Sequence, residues 1–467
     1  MTDLPFLSAV DLAAAIRRRA VSPVEVVEAV LERIARLDPQ INAFCTLAAD
    51  EARQAARAAE AALVRGDPIG PLHGVPVSIK DLILTRGIRT TRGSRLYADN
   101  VPTEDAPLVE RLRAAGAIIL GKTNTPEFGW KGVTDNLLFG PTRNPWNLDL
   151  TPGGSSGGAG AAAAAGFGPL HIGTDGGGSI RIPAAFCGVV GLKPSFGRIP
   201  TYPPSPASTL SHAGPLARTV ADCALALTVL AGPDERDRFS LPASGEDYLG
   251  ALQGDLRGLR VAWSRDLGYA VVEPEVAAVA ELAARRFGDL GCLVEEAHPG
   301  FPDPTPHWFV LFDAGIATML HDRPPGWEDL IDPGLRERVI QARQLSAFAV
   351  MRAEFVRHQV WDRLRQFFAR YDLLLTPAVA VLPFPVGLNN PPTIAGRPAG
   401  HLNWSPFTMP FNLTGQPAIV VPCGWSRSGL PIGLQIVGRR FADAMVLRAA
   451  ACFERLQPWA DRRPPLD

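Results

Sequence analysis

The sequence predicts an α/β protein of one large domain, and three observations support that prediction. Short apolar strands alternate with longer helical segments along most of the chain. Apolar residues make up 46% and charged residues 20% of the 467 positions, which is the balance of a globular protein. The chain has no internal repeat and no obvious linker between domains. One sheet-based domain with an elaborated middle section follows from these features.

The apolar pattern places the predicted elements in order. Helices are expected where apolar or small residues recur, at residues 8–19, 22–37, 48–64, 105–115, 157–166, 220–230, 273–287, 335–371 and 442–456. Strands are expected at the short apolar runs 75–79, 117–120, 170–173, 188–192, 261–263, 293–295, 418–421 and 431–437. Ser22, Pro23 and Glu25 form the start signal of the second helix: a capping hydroxyl, a proline in the first turn and an acid behind it.

The pattern of predicted helices and strands divides the predicted single domain, residues 1–467, into four sections. Residues 1–70 are helical, residues 71–232 carry the regular alternation of strands and helices, and residues 401–467 return to core-like strands. Residues 233–400 differ, because pieces rich in proline and tryptophan interrupt the pattern.

Bulk composition excludes several classes of function. A formal net charge of −1 gives no electrostatic basis for binding nucleic acid. The N-terminal residues place an acid before the apolar stretch and arginines after it, which is the wrong order for a secretory signal, and no apolar run approaches the length of a membrane span. The six cysteines form no CxxC pair, and no HExxH pattern occurs. We therefore expect a cytoplasmic protein without membrane contact, metal or cofactor.

Residues 151–194 carry the most informative pattern, in which two glycine-flanked serine sites enclose a Gly/Ala run. The first site is Ser155-Ser156, within TPGGSSGG, and the second is Ser179, within GTDGGGSIR. Glycine lets the backbone approach a ligand closely, and unobstructed N–H groups beside a hydroxyl are what a nucleophile and an oxyanion hole need. Short strands embedded in this stretch favour a catalytic site over a flexible linker.

Lysine usage points to the same region. The four lysines among 46 basic residues are Lys80, Lys122, Lys131 and Lys193, and all lie around the Gly/Ser stretch. Arginine cannot lose its proton in a protein, whereas a buried lysine can. The use of arginine everywhere else indicates that at least one of these four positions needs an amine that can become neutral.

Three familiar motifs match by letter but fail on context. Residues 116–123 spell a phosphate-binding loop, although the intervening residues form a strand-like run. Residues 153–157 spell the GxSxG elbow of α/β-hydrolases, although no good strand precedes them and most downstream histidines lie in Pro-rich or helical settings. Residues 158–163 pass for a dinucleotide fingerprint, although no strand leads into them.

The segments VSIKD (77–81), TPGGSSGG (151–158) and GTDGGGSIR (173–181) together closely resemble the amidase signature family. Further matches are GKTN (121–124), FGPTRNPW (139–146), FCG (186–188), GLKP (191–194) and GLQIVG (433–438). The resemblance covers roughly residues 5–235 and 400–460. It implies an α/β fold with a large mixed central sheet covered by helices on both faces. Residues 71–232 would be the catalytic core, and residues 233–400 a divergent section on the substrate side.

The resemblance also implies a Ser-Ser-Lys triad. Ser179 would be the nucleophile that forms the acyl-enzyme. Ser155, held by a cis peptide bond from Gly154, would relay protons between Ser179 and Lys80. Lys80 would be the base, which requires burial to lower its pKa so that the amine is neutral.

The loop around the nucleophile is expected to hold the oxyanion through its backbone N–H groups. The predicted donors are the amides of Gly176, Gly177, Gly178 and Ser179. Asp175 and Arg181 flank this loop, and we expect them to brace it through an ion pair or backbone hydrogen bonds without taking part in the chemistry.

Substrate preference is expected to come from aromatic and apolar residues near the core. The predicted pocket residues are Trp130, Gly132, Thr134, Trp308 and Trp404. Pockets of this kind favour small hydrophobic or aryl amides. Carbamates and esters are further expected substrates, because the acyl chemistry is shared.

Two alternatives to a free-standing amidase stay open. One is the ammonia-supplying subunit of a glutamine-dependent amidotransferase, which acts in tRNA-dependent amidation. That type usually carries Asp-Gln where this chain has Ser211-His212, which favours a hydrolase. The other is a catalytically inactive scaffold, against which the presence of all three triad residues argues. A monomer or homodimer acting on a small-molecule amide is expected.

Overall fold

The computed structural model describes residues 3–323 and 325–466. Within these residues, eleven strands form one sheet and two more form a small hairpin. The strands are β1 (Phe44–Leu47), β2 (Pro76–Lys80), β3 (Ile118–Thr123), β4 (Leu170–Asp175), β5 (Val190–Lys193), β6 (His212–Ala217), β7 (Arg260–Trp263), β8 (Leu293–Glu296), β9 (Leu373–Pro377), β10 (Thr393–Ile394), β11 (Arg397–Pro398), β12 (Ala418–Trp425) and β13 (Pro431–Gly438).

The sheet is mixed, as predicted. Its order is β1-β3-β2-β4-β6-β5-β12-β13-β9-β7-β8, with β10 and β11 paired apart from it. Strand β2 runs parallel to β3 and β4, and β7 runs parallel to β8 and β9. The strands between these two parallel groups pair antiparallel, as does β1 at the edge. Strands from every section of the sequence therefore share one sheet.

Helices flank the sheet. They are α1 (Ala9–Arg17), α2 (Pro23–Ile41), α3 (Ala49–Arg65), α4 (Pro107–Ala114), α5 (Gly157–Ala165), α6 (Arg181–Cys187), α7 (Val220–Leu230), α8 (Pro274–Arg285), α9 (Thr305–Met319), α10 (Pro333–Ala342), α11 (Ala347–Phe368), α12 (Met409–Thr414) and α13 (Asp443–Leu456). None of the helices in the described ranges is long and apolar enough to cross a membrane.

Both faces of the sheet are covered, as predicted. Successive side chains of β12 alternate between two apolar clusters: Ile419 and Val421 belong to one, and Val420 to the other. The first cluster includes residues of α7, α8 and α13, and the second includes residues of α9 and α11. Helix α5 is buried along its whole length and packs against α6 and β4, because its glycines and alanines permit close approach.

The predicted helices and strands are confirmed in position to within a few residues, with one exception. The helix expected at residues 335–371 is two helices, α10 and α11, because the chain breaks at residues 343–346 and Ser346 caps the second one. The elements that were not predicted are β1, β6, β9, β10, β11, α6, α9 and α12. Ser22 and Glu25 form the capping box at the start of α2.

Candidate active site

Lys80 is the last residue of β2, and its side chain is fully buried. Because β2, β3 and β4 run parallel, Lys80 lies where the carboxyl ends of three strands meet. Its Nζ lies 2.6 Å from Oγ of Ser155, 2.9 Å from Oγ of Ser156 and 3.0 Å from Oγ1 of Thr174. Three hydroxyl groups therefore surround the amine.

The surroundings of Lys80 disfavour its charged form. Burial lowers the pKa of Lys80 well below its ordinary value, and the negative charge of Asp175 opposes this effect only in part. In the described part of the chain, no carboxylate lies within ion-pair distance of Nζ. The amine can therefore be neutral at a much lower pH than an exposed lysine, and a neutral amine can accept a proton.

Ser155 follows a cis peptide bond from Gly154. Glycine is required before that bond, since a Cβ at Gly154 would lie 2.5 Å from the carbonyl oxygen of Val133. The loop is thus packed directly against neighbouring backbone. This packing presents the Ser155 hydroxyl to the Lys80 amine.

The loop that carries Ser179 is held by a buried ion pair between Asp175 and Arg181. Arg181 donates from Nη2 to Oδ1 of Asp175 at 2.9 Å and from Nε to Oδ2 at 3.0 Å. It also donates to Oε1 of Gln435 at 2.8 Å. Burial alone would raise the pKa of Asp175, but the Arg181 charge and its hydrogen bonds hold that pKa below the ordinary range. Both groups are therefore charged, and each fixes the other.

Three of the four backbone amides that the sequence predicts as oxyanion donors have no hydrogen-bond partner in the described residues. The N–H groups of Gly176, Gly177 and Ser179 have no hydrogen-bond partner among residues 3–323 and 325–466. The prediction for Gly178 is wrong: its N–H donates to Oδ1 of Asp175 at 2.7 Å. With φ at 130°, Gly178 adopts a backbone conformation that favours glycine.

The Ser179 hydroxyl has no hydrogen-bond partner in the part of the chain that the structure describes. Its carbonyl oxygen accepts a hydrogen bond from the backbone N–H of Ser156 at 3.0 Å, which ties the two serine loops together. Hydrogen bonds between catalytic groups are commonly long before substrate binds. The free hydroxyl is thus available to a ligand.

A cavity opens beside the two serine loops. Ser155 and Ser179 both line it, as do three of the predicted pocket residues, Trp130, Gly132 and Trp308. The remaining wall is largely apolar and includes Leu82, Phe128, Ile182, Pro206, Ala207, Phe312 and Leu402. The cavity therefore brings both serines together with aromatic side chains along one wall surface.

Two predicted pocket residues do not line this cavity. The Thr134 hydroxyl donates to the carbonyl oxygen of Gly153 at 2.8 Å and accepts from the N–H of Gly157 at 3.1 Å, behind the serine loop. Trp404 is fully buried and stacks on Phe186, with 5.7 Å between ring centroids. Thr134 supports the loop that carries Ser155, and Trp404 belongs to the core.

Ser156 and Thr174 contact the lysine, and the sequence had assigned neither of them a role. The Ser156 hydroxyl donates to the carbonyl oxygen of Thr174 at 3.1 Å and lies 2.9 Å from Nζ of Lys80. The position of Thr174, one residue before the Asp175 loop on a strand adjacent to β2, was the available signal. Side-chain direction along a strand alternates, so a threonine there can face the end of β2.

Trp308 fixes the loop as well as lining the cavity. Its indole Nε1 donates to the carbonyl oxygen of Gly176 at 2.8 Å. Thr408 does the same for the next residue, since its hydroxyl donates to the carbonyl oxygen of Gly177 at 2.6 Å. The first bond fixes the peptide plane that carries the free N–H of Gly177, and the second fixes the plane that carries the N–H of Gly178, which is bound to Asp175.

The other lysines are buried too, with different partners. Nζ of Lys122 donates to the carbonyl oxygen of Ile83 and to the hydroxyl of Thr85 at 2.7 Å, and burial lowers its pKa to about 8. Nζ of Lys193 donates to the carbonyl oxygen of Gln416 at 2.5 Å, and burial lowers its pKa well below the ordinary value. Neither amine contacts the two serines, so both stabilise backbone segments.

Lys131 lies at the edge of the cavity and is paired. Its Nζ lies 2.6 Å from Oδ1 of Asp135 and 3.2 Å from Oδ2 of Asp332. The pair ties the 130–135 segment to the start of α10, which Asp332 caps. In residues 3–323 and 325–466, no group of three or more His, Cys, Asp or Glu side chains is placed to hold a metal ion.

Comparison with known proteins agrees with this fold. The amidase family model matches residues 25–447. The chain is 44% identical to an acylamidase of Rhodococcus erythropolis, over 99% of this chain and 98% of that protein. It is 39% identical to a glutamyl-tRNA(Gln) amidotransferase subunit of Moorella thermoacetica, over 99% of both.

Among solved structures, the chain is similar to a bacterial aryl acylamidase of the amidase signature family. The TM-score is 0.92 at 35% sequence identity, with 97% of each chain covered. Fold, site and relatives together define an amide-hydrolysing enzyme. The chain belongs to the amidase family, whose members with the amidase signature share its large mixed sheet.

Proposed function

We propose that the protein is a serine hydrolase that cleaves small hydrophobic or aryl amides through an acyl-enzyme on Ser179. Ser155 relays protons, and Lys80 is the base. The observation that carries the proposal is the set of three hydroxyl groups around a buried lysine amine that has no carboxylate within ion-pair distance in the described residues. Such an amine serves as a base when it is neutral.

The hydrogen bonds of the three hydroxyl groups determine which of them the lone pair of Lys80 faces. A neutral amine has two N–H donors and one acceptor site. The Ser156 hydroxyl already donates to the carbonyl oxygen of Thr174, so it must accept from the lysine. The Thr174 hydroxyl can take the second N–H. The lone pair is then left for the proton of Ser155, at the shortest of the three distances, 2.6 Å.

The proposed reaction follows from this arrangement. Ser179 Oγ attacks the amide carbonyl while its proton passes to Ser155, whose own proton passes to Lys80. The tetrahedral oxyanion accepts hydrogen bonds from the amides of Gly176, Gly177 and Ser179. The C–N bond breaks as the lysine returns its proton through Ser155 to the leaving amine. Water then attacks the acyl-enzyme by the same route and releases the acid.

The walls of the cavity support the proposed substrate class. Trp130, Trp308, Phe128 and Phe312 surround the space beside the nucleophile, and Lys131 is the one charged residue among those that line it in the described chain. Since Lys131 is already paired, a neutral apolar group fits best. The similarity to acylamidases supports the same class. Carbamates and esters are proposed as further substrates.

An amidotransferase component is the second candidate, favoured by the 39% identity to such a protein. Glutamine carries an ammonium group that calls for a carboxylate partner, and no Asp or Glu lines the cavity within the described residues. Ser211-His212 stands where such subunits usually carry Asp-Gln. Because Ser211 lines the cavity, this difference changes the cavity wall itself. These features favour a free-standing hydrolase.

A substrate panel tests the proposal. We expect the purified protein alone to hydrolyse aryl anilides with a higher kcat/KM than primary amides, carbamates or glutamine. Ammonia release from glutamine that exceeds anilide hydrolysis would favour the amidotransferase. A fluorophosphonate probe is expected to label Ser179, and absence of both labelling and turnover would favour an inactive scaffold.

A further inference from the structure

A second cavity adjoins the first one. The two share part of their walls, including Leu82, Phe128 and Thr174. The second cavity is therefore an immediate neighbour of the one that Ser179 lines. Apolar residues make up much of the second wall, among them Ile83, Ala106, Leu108, Ala213 and Met319.

One charged side chain lines this second cavity within the described chain, and it is Arg92. In residues 3–323 and 325–466 its guanidinium has neither a carboxylate nor a hydrogen-bond partner, and its Nε is buried without one. Its Cζ lies 4.9 Å from the ring centroid of Tyr97, and Cζ of Arg323 lies at the same distance from that ring. Two cations thus share one aromatic ring with no anion between them.

The backbone holds Arg92 firmly in this place. Its N–H donates to the carbonyl oxygen of Asp81 at 3.1 Å, and its carbonyl oxygen accepts from the N–H of Phe128 at 2.9 Å. The Asp81 carboxylate accepts hydrogen bonds from the amides of Thr91 and Gly93, and it forms no ion pair with Arg92 within the described residues. The backbone of Arg92 is therefore hydrogen-bonded to Asp81, which follows Lys80, and to Phe128, which lines both cavities.

An unpaired guanidinium in a largely apolar cavity is matched to a carboxylate. Its planar fork donates two parallel hydrogen bonds to the two oxygens, and such charge-assisted bonds are strong where water is scarce. We propose that this second cavity is a subsite for a carboxylate on one arm of the amide substrate, with Arg92 as its anchor. The inference rests on the proposed function and narrows its substrate class to amides that carry an anionic arm.

Pairs of isosteric substrates test this subsite. One pair carries the difference on the acyl arm: a glutaryl para-nitroanilide, and its analogue with an isopropyl group in place of the carboxylate. The other carries it on the amine arm: an acetyl para-carboxyanilide and an acetyl para-isopropylanilide. The measured quantity is the ratio of kcat/KM for the carboxylate to that for the neutral partner, which cancels any general loss of activity.

We expect Arg92→Met to lower this ratio by roughly 10- to 100-fold in one of the two pairs, as loss of hydrogen bonds to a charged group predicts. The matched control is Arg323→Met, which removes the other cation on Tyr97 from outside the cavity wall, and its ratio should stay near that of the parent enzyme. An unchanged ratio for Arg92→Met in both pairs would overturn the inference.

Binding without turnover separates this inference from the proposed function. In a Ser179→Ala background, calorimetric titration with the preferred carboxylate substrate should show an affinity that Arg92→Met weakens by about tenfold or more. If the parent enzyme turns over no anilide but this difference in affinity is found, the proposed function fails and the subsite stands. Equal affinities with and without the Arg92 substitution would refute the subsite whether or not the enzyme is an amidase.

Discussion

Replacing Lys80 with methionine probes the proposed base directly. Methionine has a similar length and no charge, so it removes the proton acceptor while filling the buried space. Removal of a positioned general base costs about 10²–10⁴-fold in rate. That loss corresponds to about 2.7–5.5 kcal/mol of transition-state stabilisation. We expect kcat/KM for an aryl anilide to fall within this range, because Nζ is the nitrogen that lies 2.6 Å from Ser155.

The effect of Lys80→Met on folding stability depends on the direction in which folding shifts the pKa of Lys80. The pKa of Lys80 is lowered in the folded state, so its contribution to stability is fully present above its ordinary pKa of 10.5 and is lost as pH falls through the folded value. At neutral pH the methionine therefore removes a buried amine that burial disfavours, and it loses hydrogen bonds to three hydroxyls. These effects oppose each other, and the variant is expected to remain folded.

Lys122→Met is the matched control. Lys122 is equally buried and has a pKa lowered to about 8, but it contacts Ile83, Thr85 and Thr90 and neither proposed catalytic serine. We expect it to lower the melting temperature and to keep kcat/KM within about tenfold of the parent value. Steady-state kinetics and thermal unfolding on both variants form the assay. A Lys80→Met enzyme within threefold of the parent would refute the role of base.

Three further predictions follow from the same contacts. The kcat/KM of the parent enzyme should fall about tenfold per pH unit below the pKa of its base, because only the neutral amine accepts a proton; a flat profile across that limb would contradict this. Asp175→Asn should cost about 3–5 kcal/mol in denaturant unfolding, because it leaves Arg181 buried without its carboxylate; a cost below about 1 kcal/mol would show that the ion pair is dispensable. Trp308→Phe should lower kcat by roughly tenfold with a smaller change in KM, since the bond to the Gly176 carbonyl is lost while the aromatic wall remains; an effect on KM alone would assign Trp308 to binding.

The proposed reacting groups could be located from the sequence because each lies in a short segment with its own signal. Lys80 ends an apolar strand, and Ser155 and Ser179 follow glycines. These local features survive folding, and the structure brings Lys80 within hydrogen-bond distance of Ser155. The direction of a backbone N–H group inside a loop has no such signal in the sequence. Nothing in the run of glycines indicated that the amide of Gly178 turns to Asp175.

The cavity walls could not be predicted in the same way, because they join segments that are far apart in the chain. Trp308 and Trp404 are the same residue type, yet one faces the cavity and the other packs on Phe186. The path of α9 decides this difference. That helix was itself missed, because its first turn contains Pro306 after a Pro-rich run that reads as a loop. Strand β6, whose sequence is HAGPLA, escaped prediction for a similar reason.

The measurement that tests the central claim most directly is the mass of a trapped acyl-enzyme. The protein is mixed briefly with an aryl ester or anilide, quenched in acid, digested and mapped by mass spectrometry. We predict one acyl group per chain on the peptide that contains Ser179, reduced in Lys80→Met and absent in Ser179→Ala. Acylation of Ser155, or undiminished turnover by Ser179→Ala, would contradict the account.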